Sequence, residues 1–490
     1  MNKRRCQYTL YACLATTVLA CSTQKELLLP ERITVPVSSG NSNDTLSLNN
    51  FAQVFNDPYL RTLIDTALHN NFDLLSAAQR VTTAQANLMM AKNAWLPTLN
   101  VALSAGVDKY ADYTLNGVGN FDTNLSPNIS KDQRIPGPTP EYFAGLRSSW
   151  EIDLWGKLKS QRQATYARFL GSEQGRRLLM TQIVAGVTGL YYELTAMDNE
   201  LAIIQRNIKL QETAVATVHI QKAGGRATEL AVQQFTAQLL STQALEFGVK
   251  QEIASLENQL NALLGRLPQT IVRSTVKDAQ ALPGAVKNGI PASLLLQRPD
   301  VQRAELELMA AKADVKAARA AFLPALTITP YAGFNAFKAG LLFQSPASIA
   351  WGAAGNLMAP VFNKKQIKAQ YNISTAAAFT AFYDYQQAIV NGYQEVASAL
   401  NKVENQQQAF TLKSKEVLVL QEAVATANVL FTTGYANYLE VITAQKSVLE
   451  AELALVTTRR NVYQGMVSLY RALGGGSYGR GFVLRRNDTA

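Results

Sequence analysis

Side chains that could bind a metal or act as nucleophiles are scarce in this sequence. Its 490 residues include three cysteines and two histidines. Cys6 and Cys13 lie in a basic and apolar N-terminal stretch, so Cys21 is the only thiol beyond it. His69 and His219 belong to unrelated segments, whereas a metal site or a Cys–His catalytic pair needs such side chains to converge. The composition therefore predicts no metal site, no catalytic residue and no enzyme.

Cys21 follows a segment with the features of a secretory signal. A basic start leads into an apolar run at 10–20, which is too short to span a bilayer. The small residue Ala20 directly precedes the cysteine, and this resembles the bacterial lipobox, in which the cysteine becomes the lipidated first residue. We therefore expect residues 1–20 to be removed and Cys21 to carry covalent lipid, the only cofactor expected. The alternative is an ordinary signal peptide with a chance cysteine.

The charge and the motifs of the sequence argue against a nucleic-acid-binding protein and against several classes of enzyme. The net charge of +10 is modest for this length. No basic stripe carries interleaved aromatic residues, so nucleic acid is not an expected partner. No phosphate-binding, nucleophile-elbow or zinc-protease motif stands between a strand and a helix. The run Gly474-Gly475-Gly476 follows a helical pattern and indicates a helix end rather than a phosphate cradle.

The chain contains one pattern twice. Residues 73–99 align with 300–326 at a constant offset, and residues 224–233 align with 433–442. Such a repeat predicts one structural unit used twice, and hence internal pseudo-symmetry. The matched positions of the first pair are Asp73 with Asp300, Ala84 with Ala311, Ala91 with Ala318, Trp95 with Phe322, Pro97 with Pro324 and Leu99 with Leu326.

Each copy has the same predicted order of a helix, two strands, a very long helix, a glycine turn and a returning helix. The predicted domains are a lipidated segment at 21–56, a first repeat at 57–291, a second repeat at 292–476 and a tail at 477–490. The predicted elements of the first repeat are a helix at 57–94, strands at 98–107 and 142–155 separated by a loop at 108–140, helices across 157–264 and a linker at 265–291. Those of the second are a helix near 292–322, strands at 325–334 and 349–362, and helices across 364–473.

The predicted strands alternate with a period of two. One face of the second strand carries Leu146, Ser148, Trp150, Ile152 and Leu154, and the other carries Arg147, Ser149, Glu151 and Asp153. This pattern fits a membrane barrel with a wet lumen, and it equally fits a half-buried sheet of a soluble domain. Four strands cannot close a barrel, since natural membrane barrels have at least about eight strands. The barrel interpretation therefore requires several chains, and three chains would supply twelve strands.

The helix predicted at 157–222 is unusually long and contains no proline. Its about 66 residues, at 1.5 Å each, would form a rod of about 100 Å. Apolar residues recur along it at alternating intervals of four and three, which is typical of a coiled-coil seam. This seam consists of Leu190, Leu194, Met197, Leu201, Ile204 and Ile208.

These features together resemble the TolC/OprM-like outer-membrane efflux protein family, in its lipidated NodT-type branch. The resemblance covers nearly the whole chain, from Cys21 to about Gly476. The residues that carry it are the junction Trp150-Glu151-Ile152-Asp153-Leu154-Trp155-Gly156-Lys157, the motif Arg298-Pro299-Asp300, the two Leu-Pro-x-Leu helix ends and the two glycine turns.

The resemblance implies an α+β membrane protein that forms a homotrimer. Its twelve-stranded β-barrel, with four strands per chain, would lie in the outer membrane and continue as a long α-helical coiled-coil tunnel into the periplasm. The implied function is the passive exit duct of a tripartite efflux system for small toxic compounds such as drugs or metal ions. The implied partners are outer-membrane lipid, a periplasmic adaptor protein and an inner-membrane transporter of the RND or ABC type, which supplies the energy.

The resemblance also implies functional residues. The periplasmic mouth of the family is narrowed by acidic residues shortly after the second glycine turn, where this chain has Glu440 and Thr443. Thr443 departs from an acid that is often found there. We further expect the turns to form the tips that contact the adaptor, with glycine suited to leaving a helix. The residues expected there are Gly224, Gly225, Arg226, Gly434 and Tyr435.

Two alternative functions remain open on the sequence. The same scaffold serves as the outer-membrane duct of type I protein secretion, and neither composition nor motif separates the two kinds of duct. A non-conducting, lipid-anchored coiled-coil protein would explain the seams and the lipid, but it would not explain four amphipathic strands. The sequence does not identify the exported compound, and the type of partner pump would be the most informative single observation.

Overall fold

The computed structural model describes residues 27–31, 57–274, 295–360 and 362–475. The predicted signal, Cys21 and the tail at 477–490 lie outside these residues. So does most of the predicted linker at 265–291.

The described chain is mostly helical and contains one four-stranded sheet, which confirms the predicted α+β composition. Among the described helices, none is at once long and apolar enough to cross a membrane. The helices are α1 (Pro58–Asn70), α2 (Phe72–Asn93), α3 (Leu115–Leu125), α4 (Lys157–Ala223), α5 (Glu229–Leu263), α6 (Pro299–Ala320), α7 (Lys364–Thr433) and α8 (Tyr438–Ala472). The strands are β1 (Thr98–Asp108), β2 (Thr139–Ile152), β3 (Ala325–Ala336) and β4 (Ile349–Met358).

The chain divides into two compact units. The strand unit contains Ala84–Phe169 and Glu307–Ala381, and hence all four strands. The helical unit contains the described parts of Glu31–Thr83, Leu170–Leu306 and Phe382–Ala490. Each unit has its own packing, described separately below.

The strands pair antiparallel in chain order, with β1 and β4 at the edges. Because side chains alternate along a strand, neighbouring rows of the register lie on opposite faces. One row consists of Val101, Leu146, Ala332 and Trp351, and the next consists of Asn100, Arg147, Tyr331 and Gly352. Within the described residues the apolar face lies open, since Val101 and Leu103 are each 78% exposed and Trp351 is 80% exposed.

Both second strands of the predicted pairs end earlier than the sequence suggested. β2 occupies Thr139–Ile152 rather than 142–155, and β4 ends at Met358 rather than at 362. Asp153 therefore does not extend the charged face of β2. Its two carboxylate oxygens instead accept hydrogen bonds from the backbone N–H groups of Leu158 (3.1 Å) and Lys159 (2.8 Å). The carboxylate thus satisfies free donors at the start of α4, where the helix dipole also favours negative charge.

The strand ends are held by tryptophan side chains. The indole N–H of Trp150 donates to the carbonyl of Trp95 at 2.8 Å, and that of Trp155 donates to the carbonyl of Pro324 at 2.7 Å. An ion pair of 2.5 Å between Lys157 and Glu151 also connects α4 to β2. These contacts explain why tryptophan, glutamate and lysine residues occur at the strand-to-helix junction.

The single helix predicted at 57–94 is two helices that meet at Asn71. The backbone of Asn71 is extended, with φ −64° and ψ 122°. Its side-chain Oδ1 accepts a hydrogen bond from the N–H of Leu74 at 3.0 Å, and its Nδ2 donates to the carbonyl of Leu263 at 2.8 Å. Asn competes in this way with helix continuation and favours helix starts. The prediction of a single helix was wrong because apolar residues recur at helical spacing on both sides of the polar run at 69–71.

The loop predicted at 108–140 contains α3. Thr114 caps this helix, because its hydroxyl oxygen accepts a hydrogen bond from the N–H of Gly117 at 3.1 Å. Asn124 fixes the helix by accepting a hydrogen bond from the N–H of Ile135 (2.8 Å) and donating to its carbonyl (2.9 Å). The two glycines and three asparagines within 115–125 concealed the helix, since both residue types are typical of loops.

The helical unit has one large apolar core and, apart from it, a smaller apolar cluster. Tyr192 stacks on Tyr463 with ring centroids 4.2 Å apart. Arg298 closes the end of α8, since its Nη1 donates to the carbonyl of Ala472 at 2.5 Å while its Nη2 contacts Asp300 (2.7 Å) and Glu395 (2.8 Å). The largest fully buried side chains of this unit are Tyr191, Tyr470, Leu60, Ile64, Leu194, Ile204, Leu260, Leu264, Ile271 and Leu295.

Candidate functional site: the helix tips and the seam beside them

The first tip lies between α4 and α5. Gly225 has a φ of +72°, and its N–H donates to the carbonyl of Lys222 at 2.9 Å. The N–H of Arg226 donates to the carbonyl of Gln221 at 2.8 Å. This pair of bonds is a Schellman motif, in which glycine adopts the left-handed conformation without a steric penalty. Gly224 precedes this position and has no positive φ.

The second tip, between α7 and α8, has the same geometry. Gly434 has a φ of +85°, and its N–H donates to the carbonyl of Phe431 at 3.2 Å. The N–H of Tyr435 donates to the carbonyl of Leu430 at 2.8 Å. The matched sequences at 224–233 and 433–442 therefore form turns of one type, and Tyr435 occupies the position of Arg226.

The two tips differ in charge. At the first, Lys222 forms an ion pair with Glu229 across the turn. The hydrogen bond from Lys222 lowers the pKa of the Glu229 carboxyl. At the second, the side chain of Tyr435 is 86% exposed. Arg226 is also exposed, so both predicted contact residues are accessible at their turns.

An apolar tip cluster holds the two turns at the same end of the helical unit. Its buried members are Val218 on α4, Val441 on α8, and Ala231, Val232 and Phe235 on α5. Partly buried residues from α7 and α8, including Phe431 and Tyr438, pack against them. The tips therefore form one surface, to which the helix pair α4–α5 (the first hairpin) and the helix pair α7–α8 (the second hairpin) both contribute.

Glu440 and Thr443 lie on the first turns of α8. Both are exposed, and their spacing of three places them on one helix face. Glu440 is the third residue of the helix, and its Oε1 accepts a hydrogen bond from the Nδ2 of Asn437, the N-cap, at 3.3 Å. A carboxylate here also complements the positive end of the helix. The single chain thus brings Glu440 to the second tip, with its charge facing solvent.

A buried polar cluster, which the sequence analysis missed, lies further along the hairpins. Glu452 on α8 is only 6% exposed. Its Oε2 contacts Nη2 of Arg206 at 2.6 Å and accepts a hydrogen bond from Asn207 at 3.4 Å. Its Oε1 accepts a hydrogen bond from Gln421 on α7 at 2.8 Å. The cluster therefore connects α4 with both helices of the second hairpin.

A sequence signal for this cluster does exist. Val441, Gln445, Val448 and Glu452 follow one another at intervals of four, three and four, which places two polar residues on the seam of α8. On α4 the predicted seam continues from Ile208 to Gln211. Polar residues at seam positions lower stability but help to specify how the helices pair.

A second polar cluster lies at the start of α1. The Oδ1 of Asp57 caps the helix by accepting from the N–H of Tyr59 at 2.9 Å. Its Oδ2 accepts hydrogen bonds from the hydroxyls of Tyr191 (2.5 Å) and Ser274 (2.7 Å). Burial, together with the hydrogen bond to Asp57, raises the pKa of Tyr191 to about 12. This cluster ties α1 and the segment after α5 to α4.

Among the described residues, no group of three or more His, Cys, Asp or Glu side chains could hold a metal ion. Cys21, the predicted lipid acceptor, is not among them. Lipidation at Cys21 therefore stays a prediction.

Comparison with known proteins gives a consistent result. The model of the family described as "Outer membrane efflux protein" matches residues 63–266 and 290–475. The "Cation efflux system protein CusC" of Escherichia coli strain K12 is 27% identical over 474 residues, which cover 95% of this chain and 98% of the relative. The "Probable outer membrane lipoprotein SilC" of Salmonella typhimurium is 28% identical over 436 residues, 89% of each chain.

A further relative and two solved structures extend this similarity. The "Pyoverdine export outer membrane protein OpmQ" of Pseudomonas aeruginosa is 29% identical over 456 residues, 92% of each chain. A crystal structure of CusC superimposes with a TM-score of 0.77 at 28% identity, covering 92% of this chain and 100% of that one. The outer-membrane channel OprN superimposes with a TM-score of 0.79 at 24% identity, covering 92% and 99%.

Proposed function

The chain belongs to the outer membrane efflux protein family, and we propose that it is the outer-membrane exit duct of a tripartite efflux system. The observation that carries the proposal is the family match over residues 63–266 and 290–475, which includes both hairpins and all four strands. The protein is located in the outer membrane. It acts by passive conduction, so it needs no catalytic group of its own.

The working unit we propose is a homotrimer with a twelve-stranded barrel and a helical tunnel in the periplasm. The sheet supports this, because each edge strand, β1 and β4, has a neighbour on only one side within the described chain. Backbone groups in hydrocarbon must be paired, and only a closed sheet pairs them all. The exposed apolar row that includes Val101 and Trp351 suits contact with lipid.

We also propose that the fold is an internal repeat. The order helix, strand, strand, long helix, shorter helix occurs from α2 to α5 and again from α6 to α8, apart from the added helix α3. The identical turns at Gly225 and Gly434 support the same conclusion.

The proposed partners are a periplasmic adaptor, contacted at the tips, and an inner-membrane transporter of the RND or ABC type. Support for the adaptor contact comes from the two exposed turns, which the apolar tip cluster holds together. Glu440 and Thr443 are proposed to line the periplasmic mouth, since both are exposed beside the second turn. Cys21 is proposed to carry the lipid anchor, and mass spectrometry of the mature N-terminus would test this.

The substrates we propose are small toxic compounds such as drugs or metal ions. The relatives support a broad class, because CusC is named for cation efflux and OpmQ for pyoverdine export.

The decisive experiment purifies the full chain from outer membranes in mild detergent, measures its mass and records its conductance in planar bilayers. We expect a trimer that conducts. A monodisperse monomer that still conducts would contradict the shared barrel, and a trimer without conductance at any applied voltage would contradict the duct.

A further inference from the structure

A cavity of about 320 Å³ lies between the two hairpins, beside the apolar tip cluster. Its lining comes from α4, α5, α7 and α8. It shares Phe235, Phe431 and Val441 with the apolar tip cluster and Asn207 with the buried polar cluster. The cavity therefore adjoins both the apolar tip cluster and the buried polar cluster.

Two buried amides that line this cavity lack hydrogen-bond partners. Gln211 on α4 is 2% exposed, and neither its Oε1 nor its Nε2 has a partner among the described residues. Gln445 on α8 is 9% exposed, and its Oε1 also lacks one. Buried polar groups without partners are rare in native proteins, because each has given up its hydrogen bonds to water. A molecule in the cavity can supply the missing donors and acceptor.

The lining selects for a particular chemistry. None of the described residues that line the cavity is charged, so a bound ion would lose its hydration without gaining a counter-charge. A wholly apolar molecule would leave Gln211 unpaired. Phe235, Phe431 and Val424 add apolar surface to the lining. A neutral molecule with an apolar ring and one amide satisfies both the apolar and the polar lining.

We propose that this cavity is a binding site for a small, neutral, amphipathic molecule whose polar group bonds Gln211 and Gln445. The space is sufficient, because an apolar cavity of about 150 Å³ already holds benzene and this cavity has about 320 Å³. Since its walls belong to both hairpins, an occupant contacts α4 and α8 together and links them. The site goes beyond the proposed duct and does not depend on conduction.

The test uses the full chain in mild detergent and three probes that share a fluorinated benzene ring, observed by ¹⁹F NMR. 4-Fluorobenzamide carries both a donor and an acceptor, 4-fluorobenzoate carries a negative charge, and fluorobenzene has no polar group. We expect saturable binding of the amide and at least tenfold weaker binding of the other two. Absence of saturable amide binding would overturn the proposal.

Substitutions in the lining test whether the amide probe binds in this cavity. Gln211→Met removes the donor and the acceptor at nearly constant volume, and Ala214→Phe fills the cavity without changing a polar group. Each should weaken amide binding at least tenfold. Gln251→Met, an exposed position on α5, is the matched control and should bind as the wild type does. Unchanged affinity in both Gln211→Met and Ala214→Phe would overturn the site, even if the wild type binds the amide.

Discussion

The strand unit and the helical unit differ in how they pack their apolar side chains. In the sheet, Val101, Leu103 and Trp351 are largely exposed, and the described residues leave that face uncovered. In the helical unit a core of large apolar side chains is enclosed together with the polar Glu452 and Gln211, while other apolar side chains, such as Phe247 and Leu412, are exposed. A sheet face with so many exposed apolar side chains suits contact with hydrocarbon, whereas helices that enclose an apolar core suit an aqueous environment. The open face of the sheet and the enclosed core of the helical unit therefore suit different surroundings.

The largest expected effect comes from placing a charge on the open face of the sheet. Leu103→Arg should cost about 2–4 kcal/mol if this face meets lipid near the midplane. Ser104→Arg, one residue away on the opposite face and also exposed, is the matched control and should be tolerated. The yield of detergent-resistant oligomer measures both. Equal tolerance of the two substitutions would remove the distinction between the faces.

The next effect tests the enclosed polar residues of the helical unit. Arg206→Met leaves the Glu452 carboxylate buried with only amide partners. Breaking a fully enclosed pair costs about 3–5 kcal/mol. Because the Arg206 side chain is 56% exposed, we expect about 2 kcal/mol, seen as a lower thermal unfolding midpoint. Adding Glu452→Gln should recover part of the loss.

A surface ion pair on the same helix provides the control for that experiment. Lys446 and Glu450 are 3.8 Å apart and both are mostly exposed, so Lys446→Met should change stability little. If Lys446→Met lowered the unfolding midpoint as much as Arg206→Met, burial would not explain the cost.

A smaller effect is expected at the first tip. Gly225→Ala should cost about 1–2 kcal/mol, because a Cβ atom is disfavoured at a φ of +72°. The space around Gly225 is open, so the cost is one of backbone conformation alone. Gly224→Ala is the matched control, since its Cβ would meet only ordinary contacts of 3.6 and 3.7 Å. Hydrogen exchange of the tip amides should rise in Gly225→Ala, and a similar rise in both variants would contradict the role of the positive φ.

The sequence predicted long helices and alternating strands well because proline, glycine and period-two patterns are local signals. It therefore predicted the long helix at 157–222 to within one residue of the end of α4, Ala223. It failed where one side chain redirects the backbone. Asn71 ends α1 through a bond to Leu263, which is distant in sequence, and Asp153 leaves the strand to cap α4.

The candidate site could be predicted only in part for a related reason. The tips were recognised because glycines stand at the helix ends, and two of them, Gly225 and Gly434, take a positive φ. The Glu452 cluster was missed, since its partners Arg206 and Gln421 lie on other helices and an acid in a helical pattern resembles a surface residue. A shared barrel needs several chains, so one chain's sequence supplies the strands but not their closure.

The smallest effect on stability, and the most informative about the proposed mouth, concerns Glu440. Its hydrogen bond with Asn437 supports the helix start, so Glu440→Ala should lose only about 0.5 kcal/mol. Glu440→Gln keeps an acceptor for Asn437 and removes only the charge. In a trimer three such charges would face one axis, attract cations and favour block by a trivalent cation. We therefore expect Glu440→Gln to reduce cation selectivity and block in single-channel recordings, while the loss of its favourable charge at the start of α8 lowers the unfolding midpoint only slightly. If selectivity and block are the same in wild type and Glu440→Gln, then Glu440 serves the helix start alone, and the mouth must be lined by other residues.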